Sequence, residues 1–199
     1  RVLSWDGVTW VLNTTFAGTL YKVKLNDNRT EGFIAGSGGQ IYNWTYPTWT
    51  AVASPTGQDP RDVAFVNRTD YRAYAFGLNG VIIRWNGSSW TLDASTTASN
   101  LYTGFFVKPP SLLVDMSRGY ALGTNGATVR WSPSTNWLTD RTATASTIYG
   151  SAVVNSTLAF AVGASGRILV WMPDWGKEST AYSASSCSGQ SSDCDNPDC

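Results

Sequence analysis

The chain has 199 residues, 42 % of them apolar, and its 14 lysines and arginines are balanced by 14 aspartates and glutamates. That is enough apolar material for a packed core, while neutrality without a basic run argues against nucleic acid and anionic membrane as partners. Histidine is absent, which removes the commonest general base and the commonest transition-metal ligand, and no run of about 18 apolar residues could span a membrane.

The first predicted element is a hairpin over residues 1 to 14, in which Trp5 and Trp10 flank an Asp6-Gly7 turn signal. Four longer units follow, at about 18–53, 61–94, 101–142 and 148–180. Each opens with an aromatic and β-branched run, namely Leu20 to Leu25, Val63 to Val66, Leu101 to Val107 and Ile148 to Val154, which reads as an inner strand a. A second run predicts strand b: Phe33-Ile34-Ala35, Tyr74-Ala75-Phe76, Tyr120-Ala121-Leu122 and Phe160-Ala161-Val162. Each leads into Gly-x-x-Gly, at Gly36 and Gly39, Gly77 and Gly80, Gly123 and Gly126, and Gly163 and Gly166. Five residues after the second glycine comes a tryptophan on strand c, at Trp44, Trp85, Trp131 and Trp171. A second tryptophan starts strand d, at Trp49, Trp90, Trp137 and Trp175. With Trp5 and Trp10 this pair consumes all 10 tryptophans, and its first members are spaced 39, 41, 46 and 40 residues apart.

Four antiparallel strands per unit of this length predict one blade of a β-propeller, so the expected fold is all-β, with four full repeats and an N-terminal half blade. The repeats are assigned to residues 1–182 and a cysteine-rich tail to 183–199. The tryptophans read as rings packed between blades and the glycines as a tight b-to-c turn. A half blade without strands a and b calls for upstream repeats, or for a neighbouring chain that supplies the strands.

Ser4-Trp5-Asp6-Gly7-Val8-Thr9-Trp10 and its sister copies resemble Asp-box and photosystem-assembly-factor-like propeller repeats, over roughly residues 1 to 180. The turn is one residue shorter between Asp and Gly, and Asn86 stands where Asp6 would be in the best-kept copy. The resemblance implies a propeller of a kind found in sialidase-like enzymes, assembly factors and extracellular binding proteins. A sialidase would need an arginine trio, a tyrosine nucleophile and an acid at the axis, whereas Arg84 and Arg130 fall on strand c. The strand-a residues expected at the axis are Lys22, Asp62, Thr103 and Gly150, a set with one carboxylate where glycosidases use two. No catalytic, cofactor or metal site is therefore expected, and a sialidase-like hydrolase remains only as an alternative.

Asn-x-Ser/Thr acceptor triplets occur at Asn13, Asn28, Asn43, Asn67, Asn86 and Asn155. Asn28, Asn67 and Asn155 fall in a-to-b turns, Asn86 in a c-to-d turn with Asn43 next to one, which would gather five of the six on one face. In the third unit Lys108-Pro109-Pro110-Ser111 lengthens the a-to-b connection into a candidate contact loop. The tail cysteines Cys187, Cys194 and Cys199 have the spacing C-x6-C-x4-C, which resembles the first half of an epidermal-growth-factor-like module. One loop disulfide with a leftover thiol is the alternative, and either favours an oxidising setting. Asp193, Asp195 and Asp198 lack the spacing of a calcium loop and read as an acidic linker.

The resulting expectation is a secreted or cell-surface, N-glycosylated, non-catalytic propeller that builds a surface layer, filament or flagellar hair. Its expected partners are other protein chains, copies of itself joined by blade completion or edge contacts, and glycans. A glycan-binding, lectin-like propeller is the main alternative.

Overall fold

The computed structural model describes residues 1–26, 30–66, 72–107, 118–132, 135–140 and 144–171, and the backbone of 182–183. A two-stranded hairpin comes first, β1 (Val2–Trp5) with β2 (Trp10–Thr14). Blade one is β3 (Leu20–Leu25), β4 (Glu31–Gly36), β5 (Ile41–Thr45) and β6 (Thr48–Val52). Blade two is β7 (Pro60–Phe65), β8 (Ala73–Gly77), β9 (Ile82–Trp85) and β10 (Trp90–Asp93). Blade three is β11 (Leu101–Val107), β12 (Arg118–Gly123), β13 (Thr128–Ser132) and β14 (Asn136–Thr139). Blade four is β15 (Ile148–Asn155), β16 (Leu158–Gly163), β17 (Arg167–Trp171) and β18 (Tyr182–Ser183).

Every sheet is an antiparallel meander in chain order, as the repeat pattern predicts. The inner strands neighbour one another in the order β3, β7, β11, β15, and so form the wall of the axis. Burial follows from this stacking. All five residues of β8 are buried, because a blade covers each face of its sheet, whereas β16 alternates buried with half-buried and exposed positions.

The turn between the second and third strands is a short 3₁₀ turn in each blade, at Ser37–Gly39, Leu78–Gly80, Thr124–Gly126 and Ala164–Gly166. Its last two residues both take positive φ, for example Asn79 at 56° and Gly80 at 70°. Glycine is required at the second of these for a further reason: a Cβ on Gly80 would run into the carbonyl of Thr97 in the loop that enters the next blade.

Three placements differ from the sequence reading. Asn43 lies within β5, paired with Phe33 and Thr50, because the following turn is displaced to Tyr46–Pro47. It is half-buried on the side of the sheet that bears Phe33, so it does not join the turn face. The outer strand of blade four, β18, comes later than a strand starting at Trp175, which lies outside the described residues. Finally, each inner strand carries a bulge at Tyr21, Arg61, Tyr102 or Tyr149, an extra residue that periodicity alone does not reveal.

Candidate functional site

The axis is the first place to look for chemistry, since all four inner strands converge there. By register Lys22, Asp62, Thr103 and Gly150 are equivalent, being the first paired residues after the four bulges. Three of them meet. Lys22 Nζ lies 3.1 Å from Asp62 Oδ1, and Asp62 Oδ2 accepts from Thr103 Oγ1 and the Gly104 amide, both at 3.0 Å. Gly150 has no side chain to offer, and its neighbour Ser151 takes the place, with its Oγ 2.7 Å from Thr103 Oγ1. The Val63 amide also donates to Asp62 Oδ1 at 2.8 Å, so both oxygens of this buried carboxylate are occupied. The arrangement ties inner strands together, as a buried carboxylate must be tied.

A second cluster lies at the end of the axis where the Gly-x-x-Gly turns emerge, and the bulge residues build it. Tyr21 hydroxyl and Arg61 donate to Asp59 Oδ2 at 2.9 and 3.3 Å, and the Gly38 amide donates to Asp59 Oδ1 at 2.8 Å. The Gly38 amide chiefly, helped by Tyr21 and Arg61, holds the Asp59 carboxyl below its ordinary value, and the same carboxylate pushes the Tyr21 hydroxyl up. The Arg61 guanidinium sits 3.9 Å over the Tyr21 ring, and Tyr102 and Tyr149 face each other at 5.6 Å.

Asp59 is one member of a repeated latch that sequence reading missed. The residue just ahead of each later inner strand accepts from the central amide of the preceding blade's turn: Gly38 to Asp59 Oδ1 at 2.8 Å, Asn79 to Asn100 Oδ1 at 2.9 Å, and Asn125 to Thr147 Oγ1 at 3.3 Å. A signal was available, since Thr19-Leu20-Tyr21, Asp59-Pro60-Arg61, Asn100-Leu101-Tyr102 and Thr147-Ile148-Tyr149 share the order polar, apolar, then tyrosine or arginine.

On the other side, the acceptor triplets at Asn86 and Asn155 form compact exposed turns. Asn86 Oδ1 accepts from the Ser88 amide and hydroxyl at 2.9 and 3.0 Å, and Asn155 Oδ1 from the Thr157 amide and hydroxyl at 2.8 and 2.9 Å. Asn13 is exposed on β2, while Asn43 Oδ1 is buried with no hydrogen-bond partner. Asn28, Asn67, Lys108 to Ser111, and Cys187, Cys194 and Cys199 lie outside the described residues. Arg84 and Arg130 are on β9 and β13, away from the axis-lining strands. Among the described residues no cluster of three acidic or cysteine side chains could hold a metal, and no helix is long and apolar enough to cross a membrane.

No family model matches the sequence, and no curated protein matches it. Solved structures do. YCF48 bound to D1 peptide superposes with a TM-score of 0.57 at 17 % identity, over 83 % of this chain and 55 % of that one. YCF48 from Cyanidioschyzon merolae gives 0.62 at 16 % identity, over 84 % of this chain and 58 % of that one. The WD40 repeats of RRP9 give 0.63 at 10 % identity, over 79 % and 49 %. At such identities the likeness is one of fold, and the fold is a β-propeller. This chain spans about half the length of the structures it matches.

Proposed function

We propose that this chain is a non-catalytic, N-glycosylated extracellular propeller that serves as a structural or adhesive building block of a cell-surface layer, filament or flagellar hair. One observation carries the reading: the polar side chains that converge on the axis are engaged with one another, as Lys22, Asp62, Thr103 and Ser151 form a continuous chain of contacts. A hydrolase would need an acid free to act on a substrate there. Among the described residues, what remains available to partners is sheet face and turn, which suits macromolecular contact. The exposed triplet turns at Asn86 and Asn155 support the extracellular part of the reading.

The test is an intact mass of the chain from a secretory host, before and after glycosidase treatment. Carbohydrate is expected, with stepwise loss in Asn86→Gln and Asn155→Gln, and a secreted chain without carbohydrate would remove the extracellular argument. Turnover of a fluorogenic glycoside that Asp62→Asn abolishes would remove the non-catalytic one.

A second reading, capture of a protein segment at the end of the axis, is favoured by Tyr21, Arg61, Tyr102 and Tyr149, which place rings and a guanidinium side by side. The YCF48 neighbour that carries a D1 peptide adds weight to protein partners. Glycan binding draws its support from the exposed rings of Trp5 and Trp10, and a shift of tryptophan fluorescence on adding simple sugars would be its mark.

A further inference from the structure

Two acceptor triplets of blades one and two, Asn43-Trp44-Thr45 and Asn86-Gly87-Ser88, carry the same sequence signal in opposite surroundings. Asn86 opens the turn between β9 and β10, and Asn86 to Ser89 are all exposed. Its Oδ1 accepts from the Ser88 hydroxyl at 3.0 Å and from the Ser88 and Ser89 amides at 2.9 and 3.0 Å. The turn thus bends the hydroxyl of the third residue back onto the asparagine side chain. A Cβ built on Gly87 meets nothing within 4 Å, so the turn has open space beside it. Asn155 and Thr157 make the same bend.

Asn43 differs in each respect. It lies inside β5, opposite Phe33 of β4 on one side and Thr50 of β6 on the other. Its triplet is extended, with Thr45 paired to Glu31 and Thr48, and its Oδ1 is buried with no partner, so the Thr45 hydroxyl does not reach it. The face it occupies is the one that meets blade two. Residues directly opposite one another share a face of the sheet, and Phe33 packs edge-on against Trp85 and Trp90 at 5.3 and 4.9 Å. By register Phe33↔Asn43 matches Tyr74↔Arg84 and Tyr120↔Arg130 of the next two blades. There the long side chains carry their guanidinium groups out, and Arg130 Nε lies 3.4 Å from Asp140 Oδ2. The shorter asparagine stops within the contact. A sugar ring bonded to its amide is wider than an arginine stem and would part the blades where Phe33 meets Trp90.

We propose that in the folded protein Asn86 is open to glycosyl transfer, while Asn43 is closed to it and serves the contact between blades one and two. The inference rests on the glycoprotein reading and says which amides that reading can use. Transfer from a glycosyl diphosphate forms a bond from the sugar C1 to the asparagine Nδ2 and breaks the bond from C1 to the diphosphate oxygen. The diphosphate leaves with the electron pair, and Nδ2 gives up one proton. Asn86 already holds its triplet in a bend on the surface. Asn43 would have to leave a strand whose backbone is paired on both sides.

The test uses the full chain from a host without asparagine glycosylation, its fold confirmed by near-UV circular dichroism. A soluble asparagine glucosyltransferase and UDP-glucose are added, and the occupancy of each site is followed by peptide mass mapping. A proteolytic digest of the same chain serves as acceptor in a parallel reaction. In the folded chain glucose is expected on Asn86, and on Asn43 at least about 100-fold more slowly, because the strand must open first. In the digest both sites are expected to react, at rates that converge. Equal rates in the folded chain, or an Asn86 that stays bare there, would overturn the proposal. So would an Asn43 that stays bare in the digest, since the triplet and not the fold would then close it. Acceptance at Asn86 in a chain that a secretory host delivers without carbohydrate leaves this assignment standing and removes the extracellular reading, whereas carbohydrate on Asn43 of a secreted, folded chain does the reverse.

Discussion

The hairpins β1–β2 and β9–β10 have nearly the same local structure and opposite environments. Each closes with a turn in which one oxygen, of Asp6 or Asn86, accepts two backbone amides, and each carries a glycine with φ near 100°, 103° at Gly7 and 102° at Gly87. Each places two tryptophans directly opposite one another. In blade two the rings lie against Phe33 and are buried, while in the first hairpin they stand in the open. Local sequence therefore makes the hairpin, and the neighbouring blade decides whether it becomes core.

The comparison breaks if equivalent substitutions in the two hairpins have equivalent effects. Trp90→Ala empties a filled site between two blades and is expected to cost about 3–5 kcal/mol, lowering the midpoint of thermal unfolding by about 10 °C. Trp10→Ala, at an exposed ring, should change stability by less than about 0.5 kcal/mol. Chemical denaturation of both variants beside wild type decides. A large loss at Trp10 would mean that the hairpin is part of the core after all.

Glycine supplies the next contrast. Gly80 and Gly7 both have positive φ, but a Cβ at Gly80 meets the Thr97 carbonyl of the adjoining loop and one at Gly7 meets nothing within 4 Å. Gly80→Ala is expected to cost about 2–4 kcal/mol, strain and collision together. Gly7→Ala should carry the conformational strain alone, confined to the hairpin, and leave the main unfolding transition where it was. Coincident losses in the two variants would show that the turn, and not the packing of blade against loop, sets the requirement.

The strands, their order and the blades could be read from the chain, because each Gly-x-x-Gly turn is followed at the same distance by a tryptophan and then by a second one close behind it, a pattern that a repeated meander satisfies. Strand pairing then placed Lys22, Asp62 and Thr103 together as the inner-strand pattern predicts. Ser151 was missed because the residue at the matching position, Gly150, has no side chain, and the contact passed to its neighbour. Asn43 was misplaced because nothing in Trp44-Thr45-Tyr46-Pro47 says how far the strand runs before it turns. The difference between Trp5 and Trp85 is not written locally at all. Trp85 lies against Phe33 of the blade before it, a long-range contact that a motif shared by both residues cannot contain.

The smallest expected effect sharpens the same contrast through pH. Asp59 and Asp6 both have carboxyls held below the ordinary value of 3.8 chiefly by backbone amides, Gly38 for Asp59 and then Thr9 and Val8 for Asp6. For such a group the fold favours the ionised form. The stabilisation is present above the unfolded pKa and is lost as pH falls through the folded one. The amide on Asp59 belongs to another blade, so its protonation loosens a contact that global unfolding must break, whereas the amides on Asp6 belong to its own exposed turn. Urea unfolding of Asp59→Asn should accordingly show a midpoint below wild type at pH 5 and a gap that narrows below about pH 3.8. Asp6→Asn should follow wild type at both, because Asn86 performs the same task as a neutral amide in the equivalent turn. If the gap for Asp59→Asn widened on acidification, the latch would not be held by the carboxylate. If Asp6→Asn matched Asp59→Asn, the hairpin would unfold with the blades and the two regions would share one core.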